Sequence, residues 1–166
     1  AMHTLYAYAG YTVVTHLADR RFARLFREVW RGLTEPTRRR LLRRLRPRMD
    51  GVIVTDRVHP TQLQRGNVRL LGFAQAFPKQ GGAVVALNPV LRERNAALVR
   101  WVIAHALAHL YCGHISRLQT AREAARVKAR EEREADAQAA RWGYLSPQGA
   151  TDRRRCGKYP GRVFWR

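Results

Sequence analysis

The sequence predicts a single α+β domain, on three observations. Arg-rich segments with apolar helical stripes occupy the first third. Short β-branched runs fill the middle, and long Ala- and Leu-rich helical patterns follow. The length of 166 residues suits one domain with one core.

Residues 1–50 are expected to form a helical N-terminal part. The stretch 2–16 is apolar but has neither a basic leading segment nor a clear cleavage site, so it does not read as a signal peptide. Ala1-Met2 reads as a cloning remnant ahead of a natural start, which would make the chain complete or nearly so. Across 17–31, Leu17, Leu25, Phe26, Val29 and Trp30 supply an apolar stripe among charges, and Gly32 stops it. Thr34, Glu35 and Pro36 then read as an N-cap, an acidic first turn and an early helical proline. A helix over 35–46 follows, with Leu41, Leu42 and Leu45 inward and arginines outward, until Pro47.

Residues 51–88 are expected to hold a small sheet of about three strands. These are 51–56, 68–77 ended by Pro78, and 83–87 closed by Asn88-Pro89, with a turn at Gln80-Gly81-Gly82. Helix resumes at Leu91 or Asn95 and runs to Cys112, where Gly113 is a natural C-cap. A further helical block covers about 117–142 and stops at Gly143. The domain thus spans 1–146, with helices across 91–142, and 147–166 is a basic tail with Gly and Pro throughout.

Composition narrows the function classes. No apolar run approaches the roughly 18 residues of a membrane span. Two cysteines, Cys112 and Cys156, are too few for a disulfide scaffold, so a reducing cytoplasm is the expected compartment. The net charge is +20, and only Lys79, Lys128 and Lys158 among the basic residues are lysine. Such a field attracts nucleic acid or acidic proteins. Genomic composition bias or a thermophile's surface gives the same charge, and no nucleic-acid fold motif accompanies it.

The chemistry concentrates in residues 105–114, HALAHLYCGH. His105 and His109 are four apart on a helix, so their side chains lie about 40° apart around the axis and can hold one Zn²⁺. Leu98, Val99, Trp101, Val102, Ile103, Leu107 and Leu110 make that helix apolar nearly all round, hence buried. A third ligand could come from His114, Cys112 or a downstream acid. The pattern HExxHxxGxxH would need Gly at 112 and His at 115, whereas Gly113-His114 is one residue out of step. In EEREADAQAA (131–140), Glu132 and Asp136 share one helical face. Glu132 can reach the metal, with Glu131 and Glu134 as alternatives. Asp136 can accept the spare ring N–H of His105.

HxxxH followed by ExxxD on the next helix resembles the gluzincin metallopeptidases, in their ImmA/IrrE-like, minigluzincin and HtpX-type forms. The resemblance covers about residues 83–142. It implies a zincin-like fold with an active-site helix and a Glu-bearing helix. It also implies Zn²⁺ on His105, His109 and Glu132, and hydrolysis of a protein or peptide through a metal-activated water. Ala106 stands where the family carries the general-base Glu. With every other element intact, an engineered Glu-to-Ala exchange reads better than a natural pseudoenzyme. The strand at 83–87 resembles the edge strand along which such enzymes lay substrate. Alternatives are a DNA-associated SprT-like metalloprotease, or a non-catalytic zinc-binding protein associated with nucleic acid. In the tail, Cys156 among Arg153, Arg154, Arg155 and Lys158 loosely resembles a latency thiolate that plugs zinc's open position.

Overall fold

The computed structural model describes residues 2–45, 51–65, 68–76, 82–114 and 121–146. The α+β class holds, but the N-terminal part is not wholly helical. Strands β1 (His3–Tyr8) and β2 (Tyr11–His16) form a hairpin that turns through Ala9 at φ 48° and Gly10 at φ 83°. Positive φ at both central residues matches the twist of a two-residue hairpin. The expected run of about three strands is therefore short: among the described residues the main sheet has five.

Helices α1 (Arg20–Gly32) and α2 (Glu35–Arg43) follow the hairpin. Asp19 caps α1 by accepting from the backbone N–H groups of Arg21 and Phe22, and Thr34 caps α2. Phe22, Leu25, Phe26, Val29 and Trp30 are all buried. Each contributes about 1.5–3 kcal/mol over an exposed position.

Strand β3 (Gly51–Thr55) pairs with β2 in parallel. Gly51 is required there, since a Cβ would lie 2.3 Å from the Thr12 carbonyl oxygen. A 3₁₀ turn (Pro60–Leu63) leads to the short antiparallel pair β4 (Gln64–Arg65) and β5 (Val68–Arg69). Strands β6 (Gly72–Ala76) and β7 (Ala83–Leu87) complete the mixed sheet in the order β1-β2-β3-β7-β6. The sequence places one strand over 68–77; the structure splits it, with Leu70 and Leu71 buried between β5 and β6. Strand β7 is not an edge. It pairs with β3 in parallel and with β6 antiparallel, so β6 bounds the sheet on that side.

A second 3₁₀ turn (Pro89–Glu93) precedes α3 (Ala96–Cys112), which Asn95 caps, and α4 (Ala121–Arg141) comes last. Helix α3 is the central element, packed against α1, α2, α4, β6 and β7. A polar knot fixes where it starts. The Asp56 carboxylate, at the end of β3, accepts from the backbone N–H groups of Ala18 and Asp19 at 2.8 and 3.0 Å. Arg92 pairs with Asp19 at 3.2 Å and lies 3.7 Å from Asp56. Arg21 donates to the carbonyls of Leu91, Arg92 and Arg94. No helix of the described residues is long and apolar enough to cross a membrane. Cys156 and its flanking arginines lie outside the described residues.

Asp56→Ala would remove two part-buried hydrogen bonds from backbone N–H groups to a carboxylate, at a cost of about 2–4 kcal/mol. Its urea midpoint should fall by about 1–2 M. An unchanged midpoint would show that the knot does not hold α3 in place.

Candidate metal centre

Helices α3 and α4 bring the histidines and the acidic cluster together. His105 Nε2 lies 3.0 Å from His109 Nε2 and 3.3 Å from Glu132 Oε2, and His109 Nε2 lies 3.6 Å from Glu132 Oε1. The site is shielded from water: the side chains of His105, His109 and Glu132 are 1%, 12% and 15% exposed.

The far ring nitrogens are engaged as well. His105 Nδ1 donates to the Asp136 carboxylate at 2.7 Å. His109 Nδ1 lies 2.9 Å from His114 Nδ1, and His114 Nε2 lies 2.9 Å from Glu134 Oε2. A carboxylate can only accept, so the His114 proton facing Glu134 is on Nε2. A neutral His114 must then accept at Nδ1, which puts the His109 proton on Nδ1. With these tautomers the Nε2 atoms of His105 and His109 face one another and Glu132. Such a cluster of two imidazole nitrogens and a carboxylate could hold a cation.

A tetrahedral zinc with bonds of about 2.0–2.2 Å holds its ligand atoms about 3.3–3.6 Å apart. The separations of 3.0, 3.3 and 3.6 Å fit such an ion after slight adjustment. His105, His109 and Glu132 are also the group of His, Cys, Asp and Glu side chains, among the described residues, able to share one metal.

Electrostatics agree with the geometry. Burial pushes the His105 pKa down, but Asp136 and Glu132 outweigh it and hold the imidazole above its ordinary value. Burial, with His105, His114 and Lys128 nearby, keeps His109 well below its ordinary value. Burial raises Glu132, partly offset by its hydrogen bond to His105. Of the two imidazoles, His105 therefore takes up a proton more readily than His109.

The local sequence explains the placement. Gly113, at φ 74°, ends α3 in the left-handed region. The turn sends the His114 backbone N–H back to the His109 carbonyl at 3.0 Å and sets the two rings edge to face, 5.1 Å between centres. His114 is thus beside the trio, not in it, and sequence reasoning missed its supporting position. Its HxxxxH spacing after His109 matches no ligand pattern, and only the Gly113 turn reveals it. Glu134, an alternative ligand by sequence, holds His114. Cys112 is half-buried, and burial raises its thiol pKa, which disfavours the metal-binding thiolate. Ala106 is fully buried in the core, one residue past His105.

No protein-family model, no curated protein and no solved structure matches this chain.

His114→Ala and Asp136→Ala should each weaken zinc binding by about 10–100-fold in a competitive-chelator titration, with folding retained. Cys112→Ser should leave it unchanged. Equal affinity in all three would mean that the supporting hydrogen bonds do not orient the imidazoles.

Zinc must displace the His105 proton at any pH below that group's raised pKa. Apparent log affinity should then climb by about one per pH unit up to that pKa and flatten above it. A flat profile throughout would show that His105 is not displaced from a proton.

Proposed function

We propose that this chain is a zinc-dependent peptidase scaffold of the gluzincin kind, carried here with alanine at the general-base position. The observation that supports it is the convergence of His105 Nε2, His109 Nε2 and Glu132 on one buried point, with both distal ring nitrogens already committed. His105, His109 and Glu132 would hold the ion. When bound, Zn²⁺ supplies a Lewis acid for a peptide carbonyl and a water of lowered pKa.

The protein's own residues account for the rest. Asp136, and His114 backed by Glu134, orient the two imidazoles. Among the described residues the sheet edge that packs against α3 is β6, not the internal β7, and β6 would take an extended substrate. Main-chain pairing along β6 would bind peptides with little sequence preference. Ala106 offers a methyl where a carboxylate would take the water's proton and pass it to the leaving amine. Such a group contributes about 10²–10⁴-fold. As it stands, the chain should bind zinc and turn over slowly or not at all.

The buried Ala106 methyl also favours a second reading, a metal-binding protein without catalysis. One experiment separates the two. Ala106→Glu, loaded with zinc, should cleave casein in a chelator-sensitive way, at least about 100-fold faster than the parent. If that variant is folded, metal-loaded and inert on unfolded proteins and on itself, the non-catalytic reading stands.

A further inference from the structure

Helix α2 turns one side into an arginine cleft. Arg39, Arg40, Arg43 and Arg44, with Pro36, line a concavity of about 510 Å³. Two tyrosines from other elements hold its guanidinium groups. The Cζ atoms of Arg39 and Arg43 sit 4.8 and 5.5 Å from the centre of the Tyr8 ring on β1, and Arg43 also donates to the Tyr8 hydroxyl. Arg40 lies 4.9 Å from the centre of the Tyr111 ring on α3. Stacking occupies the face of a guanidinium and leaves its N–H edge free to fork onto an oxyanion.

The cleft has more charge than the fold uses. Glu35 pairs with Arg39 at 2.9 Å and with Arg38 at 3.2 Å. The Arg44 side chain is exposed and pairs with no carboxylate among the described residues.

We propose that this cleft binds the phosphodiester backbone of nucleic acid without reading its bases. Arginine in place of lysine favours phosphate, which accepts the planar fork at two oxygens. Tyr8 and Tyr111, the rings that could stack on bases, are already covered by arginine. The net charge of +20 supplies the long-range attraction. Tyr111 and His109 are two residues apart on α3, about 200° around its axis. A strand in the cleft therefore leaves the metal centre open, and the proposal stands or falls independently of the peptidase reading.

The test is fluorescence anisotropy of short labelled DNA, duplex and single-stranded, across a salt series. Arg40→Gln/Arg44→Gln is compared with Arg27→Gln/Arg31→Gln, a control of equal charge on α1. The cleft variant should bind more weakly to mixed-sequence and homopolymer DNA alike. Its slope of log affinity against log salt should fall by about 2, the value for two lost phosphate contacts. The control should keep most of the parent's slope. If the double variant fails to fold, Arg44→Gln alone should lower the slope by about 1. Equal loss in variant and control would assign binding to the overall field and overturn the cleft. Competition by poly-glutamate or by anionic lipid vesicles at equal charge would overturn the choice of nucleic acid.

Discussion

Three hydrogen-bond acceptors meet in a buried space between α3 and α4, and much of the fold is arranged to keep them there. Two neutral imidazole nitrogens and a carboxylate repel one another unless a proton or a metal ion lies between them. The helices that carry them, α3 and α4, pack tightly together. Leu107 and Leu110 of α3 and Ala135 and Ala139 of α4 are buried, which anchors the two helices that carry the site. The three side chains thus already lie within reach of one ion.

The supporting structure works at two distances. Close in, Asp136 and the His114–Glu134 pair fix which nitrogen of each imidazole carries its proton. The Gly113 turn makes the second of these contacts possible. Further out, the knot of Asp19, Asp56, Arg21 and Arg92 ties the end of β3 and the start of α1 to the turn before α3. Helix α3 is apolar on nearly every face, so packing alone allows it some freedom to rotate. Directional bonds at its start and end set its register.

Much of this was legible in the sequence because it rests on local signals. Asn95 and Gly113 bracket α3 as cap residues, the β-branched run at 83–87 is a strand, and HxxxH with ExxxD marks the residues that converge. The hairpin at 3–16 was not legible. Its turn is Ala-Gly where Asn-Gly or Asp-Gly is the usual signal, and Ala9 at positive φ is tolerated only because the paired strands hold it. Strand order was equally hidden, since pairing between β2, β3 and β7 links distant segments. That is why 83–87 reads as an edge and is an interior strand. The role of His114 depends on a three-dimensional turn, not on a periodic spacing.

The most direct measurement on the centre is zinc K-edge X-ray absorption on the metal-loaded full chain. The expected spectrum has two imidazoles and a carboxylate oxygen at about 2.0–2.2 Å, with light-atom scatterers only. A sulfur scatterer at about 2.3 Å, from Cys112 or Cys156, would contradict the His105–His109–Glu132 assignment. So would a spectrum that is unchanged from zinc in buffer.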